Sequence, residues 1–215
     1  MIVAASWSGG KDSALALWRA IAAGARPLAL LNMSDESGQR SRSHGLRPEV
    51  LAAQADSLGI ELLTGQASWA DYEQVFVGAL HGLRARGVEQ VVFGDIDLDA
   101  HRFWEEKVCV RAGLQAWLPL WQASRRSLVD EMIGAGFVAR LSTVREDALP
   151  ASFLGRTLDA DCVTELEALG VDPCGEGGEF HTVVVDGPLF RQPLTLQTGD
   201  IHRHGGCAFI DFYPR

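Results

Sequence analysis

Several features are missing from this 215-residue sequence, and each absence removes a class of protein. No apolar run approaches 18 residues, so nothing predicts a membrane span, and no basic stretch precedes an apolar one near the start. The expectation is a cytoplasmic chain that is neither membrane-bound nor secreted. No CxxC pair occurs. Four cysteines, Cys109, Cys162, Cys174 and Cys207, are widely spaced, the pattern of reduced thiols rather than of a disulfide framework or a zinc site. Positive charge is not in excess: the net charge of -9 argues against a nucleic acid held by its backbone, although Arg40, Arg42 and Arg47, and Arg125 and Arg126, form local clusters. Internal repeats and low-complexity tracts are absent too. The composition, 47% hydrophobic and 22% charged, suits one α/β domain with a full core, or that domain and a small companion.

What is present is a rhythm. "MIVAAS" reads as a buried parallel strand, and "DSALALWRAIAAG" as a helix with Leu15, Trp18, Ile21 and Ala22 on one face and Gly24 as its stop. "RPLALLNM", "IELLTG", "VEQVVFGDI" and "LQAWLPL" are further strands. They alternate with helices at "LRPEVLAAQADSLG", "ADYEQVFVGALHGLRARG" and "DAHRFWEEKVCVRAG". This predicts an α/β fold with a doubly wound, mainly parallel five-stranded sheet. The polar stretch "SDESGQRSRSH" has no apolar periodicity and reads as a mobile loop, with His44 and Arg47 at its end placed to close over a ligand. After Leu120 the rhythm breaks. A helix, "RSLVDEMIGAG", is followed by "FVARLSTV", a short helix near "CVTELEALG" and the β-rich segments "FHTVVVDGPLF" and "GCAFIDFYP". The division expected is a nucleotide-binding domain over 1–124 and a smaller α+β portion over 125–215, packed at the carboxyl ends of the sheet strands.

Between the first strand and helix stands Ser8-Gly9-Gly10-Lys11-Asp12-Ser13. A strand, a glycine turn and a helix start make an anion site, because the first amides of a helix lack intrahelical acceptors and the dipole adds roughly half a positive charge. Glycines admit a phosphate to the backbone, Lys11 adds a full charge, and Ser8 and Ser13 offer hydroxyls. Asp12 has the wrong sign for phosphate and suits a helix cap or a magnesium ion. A Walker loop fails here, since Ala5 stands where its first glycine would be and Asp12 follows the lysine.

SGGKDS after a first strand resembles the pyrophosphate loop (PP-loop) of the N-type ATP pyrophosphatases, which split ATP into AMP and pyrophosphate. "GDIDLDAHRFWEEKVCVRAGLQAWLPLW" and "GVDPCGEGGEFHTVVVDGPLF" resemble the later motifs of the diphthine–ammonia ligase family. The resemblance implies an adenine nucleotide alpha hydrolase-like fold and an AMP-forming amide ligase. Such an enzyme adenylates a carboxylate with ATP and Mg2+ and passes the acyl group to ammonia. It further implies that Ser8, Gly9, Gly10, Lys11, Asp12 and Ser13 hold ATP, with Lys11 catalytic. It implies too that the eukaryotic members are longer, with extra carboxy-terminal domains that have no counterpart here. Short members occur in organisms without diphthamide, which leaves the carboxylate open, whether a modified histidine on an elongation factor or a metabolite.

Other residues fit that chemistry. Asp95, at the carboxyl end of the fourth strand, reads either as a magnesium or substrate contact or as a helix cap. Asp97 and Asp99 read as caps or surface charges. Arg102, in the first turn of the next helix, is placed to reach a nucleotide or acidic substrate, whereas Lys107 and Arg111 read as solvated. Glu179 and His181 lie two apart on a strand start and face the same way, a carboxylate and an imidazole able to orient ammonia or take its proton; Glu176 and Thr182 flank them as substrate contacts. By spacing alone a solvated Gly-Glu-Gly-Gly turn explains these glutamates as well. Cys174 reads as inert, and His202 and His204 as surface residues. The apolar strand "GCAFIDFY" is one that a second copy could pair with. Two rivals remain. A tRNA-modifying thiolase or lysidine-type synthetase would show paired cysteines or a basic surface, and a nucleotide-binding module without turnover would have no use for Glu179 and His181.

Overall fold

A computed structural model describes all 215 residues. Five strands, β1 (Ile2–Ser6), β2 (Arg26–Ser34), β3 (Glu61–Gln66), β4 (Gln90–Val92) and β5 (Gln115–Trp117), form one sheet in the order β3-β2-β1-β4-β5, every pair parallel. The helices of the first half are α1 (Lys11–Ala22), α2 (Pro48–Leu58), α3 (Tyr72–Ala85) and α4 (Asp99–Arg111). The expected α/β architecture with five parallel strands is what the chain adopts. A second, antiparallel sheet has the order β7-β6-β9-β8, from β6 (Val138–Arg145), β7 (Phe180–Asp186), β8 (Leu196–His204) and β9 (Cys207–Pro214). With it come α5 (Arg125–Gly134) and α6 (Ala160–Ala168).

Parallel strands must be apolar on both faces, and the middle of β1 is: Val3, Ala4 and Ala5 are buried. α3 and α4 supply the stripe that covers their side of the sheet. Phe76, Leu80 and Leu83 meet Val91, Phe93, Val108 and Cys109 in one cluster, each large apolar side chain contributing about 1.5–3 kcal/mol on burial. Tyr72 stacks on Phe76 and both pack tilted against Trp104, with ring centroids 5.2–6.1 Å apart. The stretch 34–44, expected to be a mobile loop, is a loop tied by its own hydrogen bonds and by an antiparallel bridge between Ser34 and Ser41. Asp35 N–H bonds to Arg40 O at 2.8 Å, Asp35 Oδ1 accepts from Ser37 Oγ and Gln39 N–H, and the Arg42 guanidinium binds Ala67 O. Short polar side chains satisfy the backbone there without any apolar periodicity.

Compactness divides the chain into two units. One comprises residues 1–8, 12–43 and 59–122, and the other residues 9–11, 44–58 and 123–215. The second unit thus takes in α2 and three residues of the glycine turn besides everything from Ala123 onward. Within it α2 buries Val50, Leu51, Ala55 and Leu58, and Ser57 Oγ donates to Gln192 O at 2.6 Å.

Candidate active site

In the parallel sheet the strand order by itself locates a ligand site. From β1 the chain steps outward to β2 and β3, then returns to the other side of β1 for β4 and β5, so the topological switch point lies between β1 and β4. Open α/β sheets bind ligands off the carboxyl ends of the strands at that point. The segments leaving there contain Ser8 and, beyond β4, Gly94 and Asp95. A Cβ on Gly94 would stand 2.8 Å from both the Asp12 carbonyl carbon and Ser13 N, so the β4 exit presses on the first turn of α1 and only glycine fits. Ser8 Oγ and Ser13 Oγ lie 3.1 Å apart, a hydroxyl pair across the turn.

Asp95 does not cap α4. The cap position is Leu98, without a side-chain hydrogen bond; Asp99 opens the helix, and Asp95 Oδ1 accepts from His101 Nδ1 at 2.7 Å. It also meets Glu105, a buried carboxyl in the next turn. Burial, then the hydrogen bond to Asp95 and its negative charge, push the Glu105 pKa up to about 10, so Glu105 keeps its proton and donates it to Asp95. Arg102 pairs with Glu106 at 2.7 Å and lies over the Trp121 ring, 5.1 Å from its centroid. Lys107 and Arg111 are not merely solvated, because both bind Glu73.

In the second unit, residues 9–11 are held by β7 and α2. Gly9, at φ +81°, offers its carbonyl to Val184 N–H at 2.9 Å and to Gln54 Nε2 at 2.9 Å, and Gln54 Nε2 also reaches Val184 O at 2.7 Å. Lys11 N–H, one of the amides a helix start leaves without an intrahelical acceptor, donates to Thr182 Oγ1 at 3.1 Å. The Lys11 side chain is 6% exposed, with Nζ 5.8 Å from the Phe180 ring centroid. His44 Nδ1 lies 2.8 Å from Thr182 O; a carbonyl only accepts, so Nδ1 carries the proton and Nε2 the lone pair. The ring packs against the turn, and a Cβ on Gly10 would be 2.1 Å from His44 Cε1. Burial, outweighing the Thr182 bond and helped by the Lys11 charge, lowers the His44 pKa to about 4, so this histidine is neutral although one edge still touches solvent.

The His181 ring lies 4.7 Å from that of His44, tilted by 31°. Glu179 precedes β7 in a bend, with its Oε2 buried and unpartnered. Glu176 sits in the neighbouring turn, where Gly178 N–H bonds to Gly175 O and Arg145 Nη1 donates to Gly177 O at 2.6 Å. Of the candidate residues, Gly9, Gly10, Lys11, His181 and Thr182 are gathered in this unit, and Ser8, Ser13, Asp12 and Asp95 lie at the switch point of the other. His202 is more than a surface residue, since its Nε2 pairs with the buried Asp211 at 3.1 Å. None of the four cysteines forms a disulfide. Gln54 is a residue the sequence reading passed over. Its signal is a glutamine in the buried register Val50, Leu51, Gln54, Ala55, Leu58, where a polar side chain needs partners.

Residues 1–116 match the family model of the diphthamide synthase N-terminal domain, and residues 124–213 that of the diphthamide synthase C-terminal domain. The chain belongs to the diphthamide synthase family. Along its length it is 33% identical to the diphthine–ammonia ligase of Homo sapiens, covering 97% of this chain and 88% of that one, and 32% identical to that of Bos taurus with the same shares. It is 30% identical to the diphthine–ammonia ligase of Schizosaccharomyces pombe over 92% of this chain and 36% of that one. The extra length expected of eukaryotic members is therefore a feature of the fission yeast protein and not of these two mammalian ones. Membership of this family makes the chain an ATP-dependent, amide-forming ligase. No helix is long and apolar enough to cross a membrane.

Proposed function

We propose that this chain adenylates a carboxylate on ATP and transfers the acyl group to ammonia, with diphthine, the carboxylate in its relatives' name, as the first substrate to test. The observation that carries the reading is a buried lysine at the head of α1, on a glycine turn whose backbone is clamped by β7 and α2. A carboxylate oxygen attacks the α-phosphorus, and the bond to the β-phosphate breaks with pyrophosphate taking the electron pair. Lys11, Ser8, Ser13 and the turn amides of Gly9 and Gly10 neutralise the leaving group where its charge develops. Ammonia then forms the C–N bond at the acyl carbon, AMP leaves with the C–O electrons, and a proton passes from nitrogen to a base. Glu179 and His181 are assigned to that second step, and Glu176, Thr182 and Arg102 to substrate contact.

Magnesium fits the donors: Asp12 and Asp95 are hard oxygen ligands on two backbones that touch at Gly94. Bound there it would add positive charge against the phosphates. The chain's own part is to hold those carboxylates, with His101 and protonated Glu105 bracing Asp95. A cytoplasmic location is part of the proposal.

The test is ATP–pyrophosphate exchange with magnesium and a diphthine-bearing protein. Exchange should require the carboxylate and fall about 10²–10³-fold in Lys11→Ala, the scale for removing one preorganised charge-stabilising group. ATP bound with neither exchange nor AMP, for diphthine and for a panel of carboxylates, would overturn the ligase in favour of a binding module. AMP appearing only with tRNA would move it to nucleic-acid modification.

A further inference from the structure

We infer that Thr143 completes the ammonia-binding subsite, its hydroxyl accepting an N–H of the nucleophile beside Glu179 and His181. The inference rests on the ligase reading and deepens it at the second step.

The argument starts from the register of β6 on β7. Thr143 lies directly opposite His181 and Val144 opposite Phe180, and Arg145 N–H bonds to Glu179 O at 2.8 Å. Residues opposite each other in an antiparallel pair project to the same face, and so do residues two apart on one strand. Thr143 and His181 therefore share one face of the second sheet, and Glu179, in the bend just before β7, is tied to the same ladder through Arg145. Regular pairing would not produce this. Leu141 is opposite Thr182 and Thr143 opposite His181, so Ser142 is an extra residue in β6. Without that bulge, Leu141 and Thr143 would project together and Thr143 would turn away from His181. Bulges of this kind re-aim a side chain next to a functional site.

Two polar atoms of these three residues are buried with no hydrogen-bond partner, Thr143 Oγ1 and Glu179 Oε2, and Thr143 as a whole is 3% exposed. An orphaned buried hydroxyl is costly, and valine has the same shape without it. Both unpartnered atoms can accept a hydrogen bond, and both are buried. Ammonia suits such a pair. It has three N–H bonds to place and must keep its lone pair pointed at the acyl carbon. Glu179 Oε2 and Thr143 Oγ1 take two of the N–H groups. As the C–N bond forms and AMP departs with the C–O electrons, nitrogen becomes cationic and gives one proton to the Glu179 carboxylate.

Thr143→Val separates this role from a structural one. AMP formation is measured with ATP, magnesium, a diphthine-bearing protein and ammonium chloride as the varied reactant, beside ATP–pyrophosphate exchange and thermal melting. The expected result is a KM for ammonium raised about tenfold or more, with exchange and the KM for ATP unchanged and a melting temperature equal to or above wild type. Thr143→Ser should restore the ammonium KM to within about twofold, and Ser142→Ala, which removes another orphaned hydroxyl from β6, should leave it unchanged. A Thr143→Val enzyme with the wild-type ammonium KM overturns the subsite alone. So does one that loses exchange in parallel, or one that melts much lower with Thr143→Ser no better. Wild-type enzyme whose AMP formation ignores ammonium overturns the ligase reading and the subsite together.

Discussion

The parallel-sheet unit and the antiparallel unit each bury an ionisable side chain, and they neutralise it in opposite ways. Glu105 of α4 is kept protonated, its pKa raised to about 10, while His44 of the second unit is kept deprotonated, its pKa lowered to about 4. Desolvation is the leading cause in both. Low-dielectric surroundings disfavour charge of either sign, and the hydrogen bonds left over, Glu105 to Asp95 and His44 Nδ1 to Thr182 O, then orient a neutral donor. The units also treat the glycine turn and its helix differently. In the first, the backbone of Gly94 abuts the backbone of Asp12 and Ser13; in the second, a side chain, His44, abuts Gly10.

The largest expected effects test that last contrast. Gly10→Ala would drive a methyl into the His44 ring and should lower ATP–pyrophosphate exchange about 10²-fold, the scale for misplacing a reacting group by an ångström. Because the obstacle is a side chain, Gly10→Ala with His44→Ala should recover part of that loss. Gly94→Ala meets backbone instead. It should cost about 1–3 kcal/mol in chemical denaturation, with no second truncation to relieve it. A Gly94→Ala protein as stable as wild type would remove the asymmetry.

A smaller effect concerns pH. The folded state holds His44 neutral, so the unfolded chain binds the extra proton. Stability contributed by this group is present above pH 6.5 and drains away as pH falls toward 4, by about 1–2 kcal/mol given that one pKa unit is about 1.4 kcal/mol and that the ring keeps an exposed edge. His44→Asn should flatten denaturation midpoints across that window. Glu105 has the opposite sign. Its folded state holds the proton that the unfolded chain releases above about pH 4.5, so its contribution declines as pH rises toward 10. Glu105→Gln keeps a donor for Asp95 without needing that proton. It should raise the melting temperature by about 2–4 °C at pH 8 and by less at pH 5. Equal gains at both values would show that burial of the carboxyl does not set its proton.

Legibility along the chain followed periodicity. β1, the turn and α1 were readable because an apolar strand, two glycines and a helical stripe are contiguous. β8 was legible only as a possible strand through the alternation of His202 and His204, because "LQTGDIHRH" is a largely exposed edge strand with no apolar pattern. The order of the loop at 34–44 escaped because its bonds run from Asp35 and Arg42, invisible to an apolar pattern. Thr182 was readable only as a neighbour of His181. That its hydroxyl meets the Lys11 amide depends on a contact between residues 171 positions apart.

From its sequence alone this protein could be known as a parallel α/β chain with an anion-binding turn and the motifs of an amide-forming ligase. Helical and strand periods, glycine turns and charge at a helix start all act within a few residues. Tertiary structure alone decided that α2 and His44 belong with the antiparallel unit, that Gln54 clamps Gly9, and that a bulge at Ser142 turns Thr143 toward His181. Those outcomes depend on strand register and on which distant surfaces exclude water from one another, and no local window of sequence carries either.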